Sequence, residues 1–410
     1  ECSLRAAIMQ TNILGSDDVI YLPRGTVYEL TLNDNIFDSP EVNDLDVFSD
    51  LTLSIADPET PVTSLEEIPI VGVNPDVGVD DRVFEIHSGQ LVSFNGIFII
   101  NGRAENSFSN PGIGGGIYVS DQVGEFRLTD SVVAFNQASY GAGIYSQALV
   151  TLIESTDISY NIINNTGLFF SFVGGAGIYH GGSELTLNKV SIHNNLIDLV
   201  GPSVSALYIS GNNSQVSILN TLIADNGVWL LGEGGVVNGI RSKQADLRLN
   251  NSNVTGNTGF GVRFLSDDAH IFSLHNSVLA ANSFDNCDIL EGVIDFGDSL
   301  NPAHIVSSDN SCSLPDLPDN FENVDPNLSL LKGRFEALNF QFFSFQFPLP
   351  GSPLVDAGST SNVVTGNLSA CEVTDIRDVA RPLNGGLGEV CDIGIYESDL
   401  IFINGFELTD

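Results

Sequence analysis

The sequence predicts an all-β fold: a single right-handed parallel β-helix, a solenoid closed by a short N-terminal capping helix and an irregular C-terminal cap. Three observations predict it. Seven nine-residue segments align without a gap, and a second column of short apolar triplets runs between them. Glycine, at 41 of 410 residues, joins recurrent Asn and Ser in favouring many short strands over helices.

The segments are FNGIFIING (94–102), LTDSVVAFN (128–136), IESTDISYN (153–161), LNKVSIHNN (187–195), ILNTLIADN (218–226), LNNSNVTGN (249–257) and LHNSVLAAN (274–282). Their sixth positions hold Ile99, Val133, Ile158, Ile192, Ile223, Val254 and Leu279. Their fourth positions, from Ile97 and Ser131 to Ser277, are small or β-branched. Six segments end on asparagine: Asn136, Asn161, Asn195, Asn226, Asn257 and Asn282. Between them runs Gly116-Ile117-Tyr118, Gly143-Ile144-Tyr145, Gly177-Ile178-Tyr179, Ala206-Leu207-Tyr208, Gly239-Ile240-Arg241 and Gly261-Val262-Arg263. The repeat varies from 25 to 34 residues, which suits loops of differing size on a constant strand core. Period-two alternation about each apolar position reads as strand, so each coil is expected to carry two short strands and an Asn-fixed turn.

In such a coil equivalent positions lie about 4.8 Å apart. Apolar side chains stack on like side chains inside, and each coil completes its backbone hydrogen bonds on its neighbours. Stacked Asn passes amide hydrogen bonds from coil to coil and tolerates a left-handed backbone. This assigns the Asn column to structure, with Gly before the second strand permitting a similar bend.

In chain order, residues 1–16 form the N-terminal cap, where LRAAIMQTN (4–12) is the helix candidate that covers the apolar end of the stack. Residues 17–282 form the coils, opened by DDVIYLPRGTVYEL (17–30), DLTLS (50–54) and DRVFE (81–85), with 36–48 and 57–81 as acidic, Pro-containing loops. Residues 283–399 supply final coils and a disulfide-containing cap. There a Phe-rich stretch (Phe335, Phe340, Phe342, Phe343, Phe345, Phe347) precedes PLPGSPLVDAGS (348–359). Residues 400–410 read as a terminal apolar strand.

The balance of 14 basic against 52 acidic residues gives a net charge of −38. Such a surface repels nucleic acid and anionic membranes, and no Lys/Arg cluster offsets it. It suits extracellular life and could recruit divalent cations, calcium being the one cofactor to consider. No run of about 18 apolar residues is present to span a membrane. The opening Glu1-Cys2 reads as the middle of a motif, which implies a preceding leader. Cys287 with Cys312 and Cys371 with Cys391 each close a short loop and are expected to form the disulfides of an exported protein, leaving Cys2 over. No CxxC or Cys/His spacing proposes a metal site.

CSLRAAI, near the start, resembles the CSLREAI motif of bacterial right-handed β-helix proteins related to the pectate-lyase fold and to polymorphic outer-membrane-protein-like repeats. GSPLVDAGS (351–359) and TDIRDVARPLNGG…CDIGIYE (374–397) resemble the closing segment of the same proteins, the choice-of-anchor Q family. IFINGFE (401–407) is similar to a C-terminal motif of proteobacterial exported proteins. Ala6 stands where the family has Glu. The resemblance implies export and a cell-surface or extracellular place, but no particular reaction.

A lyase on this fold needs carboxylates from neighbouring coils to hold calcium and a basic residue as base, and a hydrolase needs paired acids. Asp130, Glu154, Asp157 and Asp225 do not share columns in adjacent coils, and the six histidines are scattered, with His180 read as a surface residue. Asp267-Asp268 reads as a loop turn. No catalytic residues are assigned, although Arg241 and Arg263 have a lyase-like placement. Alternation puts Tyr118, Tyr145, Tyr179 and Tyr208 outside as a stacked row, continued by the two arginines. The row stiffens the sheet or offers an aromatic platform for a glycan or partner protein. The sequence thus predicts a non-catalytic extracellular surface, adhesin or filament protein. Its partners are a glycan or cell surface, or itself by head-to-tail strand addition through 400–410. The alternative is a polysaccharide-active enzyme, a calcium-dependent lyase or glycoside hydrolase.

Overall fold

The computed structural model describes residues 3–15, 17–31, 44–74, 81–104, 112–164, 174–198, 203–211, 213–228, 236–266, 269–298, 302–317, 320–332, 344–359, 370–381 and 390–398. Parallel strands stack into three long sheets. Sheet I has ten strands, from Asp18–Leu22 to Val293–Asp295, and sheet II has ten, from Val27–Leu30 to Val306–Ser307. Sheet III has nine, from Leu45–Val47 to Cys287–Ile289. A four-stranded sheet IV, from Gln137–Ala138 to Gly227–Val228, lies between II and III in the middle coils. The fold is the expected right-handed parallel β-helix.

Each coil carries three or four strands, not two. The nine-residue segment is itself a corner: its first residues end a strand of sheet I and its fifth to seventh form a strand of sheet II. The bend is the third position, where Gly96, Asp130, Ser155, Lys189, Asn220, Asn251 and Asn276 all adopt positive φ, between 44° and 66°. Strands Leu45–Val47 and Ile70–Val73 likewise fall in the stretches that read as acidic loops.

The sixth-position residues are fully buried and stack in register, Val133 on Ile158 and Ile158 on Ile192. Beside them the asparagines form a continuous ladder. Each Nδ2 donates to the next Oδ1, at 3.0 Å from Asn136 to Asn161 and from Asn161 to Asn195, 3.1 Å to Asn226, and 2.9 Å on to Asn257 and Asn282. The left-handed bend lies one residue earlier than expected, at Asn101, Phe135, Tyr160, Asn194, Asp225, Gly256 and Ala281. The glycines of the triplets also have a different purpose from the expected bend. A Cβ on Gly143 would stand 2.6 Å from the Gly177 carbonyl oxygen and 3.0 Å from Asn161 Nδ2, so Gly is needed for close approach to the ladder. Fourth-position hydroxyls add a second ladder, with Thr221 N–H donating to Ser252 Oγ at 3.2 Å and Ser252 N–H to Ser277 Oγ at 3.1 Å.

The capping helix spans Leu4–Leu14, starts on Ser3, whose Oγ accepts from Ala6 N–H at 3.2 Å, and stops at left-handed Gly15. Leu4, Ile8 and Thr11 face the stack, while Ala6 is exposed, so the cap forms without an acid there. At the other end Phe296, Ala303, Ile305 and Cys312 join the main core. Both expected disulfides, Cys287–Cys312 and Cys371–Cys391, are present. The described residues of 344–398 run along the flank, where Phe345 packs on Leu222 and Ala224, and Leu354 and Ile393 pack on Val278 and Ala280. Turn-column side chains hold it: Asn250 Nδ2 donates to the Ala370 carbonyl at 2.8 Å and Asn276 Oδ1 accepts from Ser359 N–H at 3.0 Å. Among the described residues no helix is long and apolar enough to cross a membrane.

His180 is buried, not at the surface. Tyr179 points out of its strand, Gly175–His180, so period two sends the next residue inward. Burial lowers its pKa to about 4 from the ordinary 6.5. The unfolded chain therefore binds a proton that the folded chain does not between those values. The His180 contribution to stability is expected to be flat above pH 6.5, to fall by about 3 kcal/mol as pH drops to 4, and to level off below. Urea titrations across that window check it, the His180→Leu variant losing this component.

Candidate functional site

Sheet III presents the predicted tyrosine column. Tyr118, Tyr145, Tyr179 and Tyr208 pair in register on successive strands, with ring centroids 5.7, 4.4 and 5.3 Å apart. Tyr145 lies within 19° of parallel to Tyr118 and 9° of parallel to Tyr179, so the ring faces are turned to one another and not to solvent. Arg82 covers the Tyr118 end at 5.4 Å and Arg241 the Tyr208 end at 5.9 Å. Tyr208 is buried and the other three are half-buried. Burial, with its tyrosine neighbours, pushes the Tyr145 phenol well up. Arg263 continues the column and pairs with Asp288, its Nε 2.8 Å from Oδ2, which neutralises it. The column therefore shows solvent mainly ring edges and hydroxyls.

A second candidate, a cleft, lies across the outer face of sheet II. Among the described residues, the C-terminal segment meets this face at Ser191, where Ser191 Oγ donates to the Ser344 carbonyl, and the junction forms a cleft of about 610 Å³. Its floor carries Phe98, Val132 and Asp157 in one column and Ile100, Ala134, Ser159 and His193 in the next. Leu330, Leu331 and Ser344 form the wall. From Phe98 to Asp225 it crosses five coils, about 19 Å at the ordinary strand spacing.

Asp157, Ser159 and His193 are buried in this floor. His193 Nε2 lies 3.0 Å from Asp157 Oδ2 and Nδ1 lies 2.7 Å from Asn194 Oδ1, so both ring nitrogens are engaged. Ser159 Oγ donates to the other Asp157 oxygen. Asp225, at the rim, is raised by partial desolvation, which His193 opposes. Asp157 and His193, which read as scattered, meet because a fifth-position and a seventh-position side chain share the outer face of adjacent coils. Sequence reading also passed over Phe135 and Tyr160. These are 54% and 41% exposed, their rings stack at 5.3 Å, and both sit in the left-handed turn column at φ 59° and 57°. Left-handed backbone costs a bulky residue about 1–2 kcal/mol, so the pair is displayed at an energetic cost.

Asp267-Asp268 and the apolar tail 400–410, on which head-to-tail assembly depends, lie outside the described residues. The fold and this groove define a parallel β-helix protein with a lateral, aromatic-rimmed cleft. No protein-family model and no curated protein matches the chain. A crystal structure of pectate lyase Pel9A is similar, with a TM-score of 0.52 at 13% identity over 95% of this chain and 90% of that one, a likeness of fold.

Proposed function

We propose that the protein is an exported, non-catalytic surface protein that binds an extended glycan in the cleft across sheet II. The observation that carries this reading is the exposed Phe135–Tyr160 pair, held in a strained backbone at the rim of a long groove. Every coil needs a left-handed residue at this turn, and filling it with a bulky ring where other coils use Asn, Asp, Gly or Ala points to display of the rings, since aromatic edges and faces are what a sugar ring stacks on. Two disulfides and the strongly acidic surface suit extracellular life. Both nitrogens of His193 being engaged supports binding over catalysis, since a general base needs a free lone pair. On this reading the tyrosine column of sheet III stiffens the solenoid.

A glycan array followed by titration of the hits tests it. The Phe135→Asn/Tyr160→Asn variant is expected to lose at least tenfold in affinity, while its stability stays unchanged or rises by about 1 kcal/mol because Asn tolerates the left-handed turn. Unchanged affinity would refute the reading. A second reading, a calcium-dependent polysaccharide lyase or glycoside hydrolase, is favoured by Asp157 and Asp225 flanking His193 and by a structural neighbour that is a pectate lyase. Unsaturated product formed from pectin, and lost on chelation, would establish it in place of the first.

A further inference from the structure

Under the capping helix, the first two coils of sheet III carry a cluster that neither the cleft nor the tyrosine column uses. Asp46, in strand Leu45–Val47, pairs in register with Glu85, in strand Phe84–Ile86. His87 follows two residues later and shares Glu85's outward face. One His87 nitrogen and one oxygen from each carboxylate lie within 4.8 Å of one another. Nε2 is 2.6 Å from Asp46 Oδ1, and Nδ1 is 3.7 Å from Glu85 Oε1. Modest side-chain rotation from there reaches the roughly 2 Å bond lengths of a bound metal.

Two further observations point to a cation. Asp46 is only 6% exposed, and its Oδ2 is buried with no hydrogen-bond partner among the described residues. Neither oxygen of Asp44, fully buried beside it, accepts a hydrogen bond there either, its ion-pair partner Arg82 Nε being 3.7 Å away. Buried carboxylate oxygens are costly unless a donor or cation meets them. The local charge is also crowded. Asp44, Asp46, Asp81 and Glu85 gather around two guanidinium groups, those of Arg5 and Arg82, and burial together with these acidic neighbours pushes the Asp44 carboxyl well up, which marks a site short of positive charge.

We propose that Asp46, Glu85 and His87 bind a zinc-class divalent transition metal that fastens the capping helix to the first two coils. An imidazole with two carboxylates suits zinc and its neighbours better than calcium, which takes oxygen ligands. Supporting contacts are in place. Phe48 stacks on the His87 ring at 4.2 Å and 4° and fixes its plane. Asn12, on the helix, donates to the Asp46 carbonyl and accepts from Phe48 N–H, both at 2.8 Å, which ties the ligand strand to the cap. The His87 side chain is 31% exposed, which leaves an entry path and room for a water ligand.

The test uses the full chain stripped by a chelator. Calorimetric titration with zinc chloride is expected to show one ion per chain and a rise in the thermal unfolding midpoint, with calcium chloride giving neither. Cobalt(II) is expected to give visible d–d absorption. His87→Ala and Glu85→Gln, checked for folding by circular dichroism, are expected to weaken zinc at least tenfold and to abolish the cobalt bands. Absence of stoichiometric zinc binding by the wild type, or undiminished binding by folded His87→Ala, overturns the proposal.

Discussion

Replacing Asn195 by alanine is expected to cost about 4 kcal/mol, the sum of several buried polar groups left without partners at about 1–3 kcal/mol each. Asn195 Oδ1 accepts from both Asn161 N–H and Asn161 Nδ2, at 3.1 and 3.0 Å. Its Nδ2 donates to the Ile158 carbonyl at 2.8 Å and to Asn226 Oδ1 at 3.1 Å. At 0% exposure no water replaces these bonds. Aspartate is expected to be no better, because it removes the donor and turns a negative oxygen toward Ile158 and Asn226. Urea denaturation gives the size of the loss, and amide exchange locates it: Asn161 N–H is expected to exchange at least a hundredfold faster. An alanine variant within 1 kcal/mol of wild type would mean that the ladder contributes little.

Arg381→Met is expected to cost a similar amount, about 4 kcal/mol, and to release the C-terminal segment from the flank. The guanidinium is fully buried, 3.4 Å from Glu397 Oε2, and donates to the carbonyls of Asp392 at 3.0 Å and Gly394 at 2.8 Å. Removing it takes the countercharge from Glu397, itself 1% exposed, whose Oε2 keeps the Asp392 N–H at 2.9 Å but lies among the buried carboxylates of Asp392 and Asp375. The Arg381→Met/Glu397→Met double variant is expected to recover part of the loss, since the Glu397 charge then leaves together with its partner. Limited proteolysis reports the outcome, cleavage being expected within 370–398 while the coils stay resistant. Much of the TDIRDVARP…CDIGIYE motif is thereby explained as a weld: Arg377 grips Asp375 and stacks 3.4 Å from the Tyr396 ring centroid while Arg381 spans the rest.

How much was legible varies by column. The Asn ladder could be read because the same residue must recur wherever one amide hands a hydrogen bond to the next, and the tyrosine stack for the analogous reason. The split of each nine-residue segment between sheets I and II could not, because strands such as Val132–Ala134 are too short for a period to show and the bend before them is carried by Asp, Ser, Lys or Asn as well as Gly. In sheet III the outward column runs Asp46, Glu85, Tyr118, so its chemistry changes at the third coil and the acidic pair did not align with the tyrosines. The Asp157–His193 pair was within reach, since fifth and seventh positions share a face. The contact runs diagonally between two columns, Asp157 lying opposite Ser191 and His193 opposite Ser159, so no single column carries its signal. The flank position of the C-terminal segment had no sequence signal, as its anchors Asn250 and Asn276 look like ordinary turn residues.

The lateral placement of that segment fixes when the molecule becomes competent. Each winding of the solenoid needs only the one synthesised just before it, so the stack can grow as the polypeptide emerges. The groove cannot: its wall at Leu330, Leu331 and Ser344 closes on residues such as Val132, made some two hundred positions earlier, and Lys189 waits for Asp378. The cleft is therefore the last feature the nascent chain completes, and on the proposed glycan-binding reading a product truncated before Leu330 would keep its coils and lose its affinity.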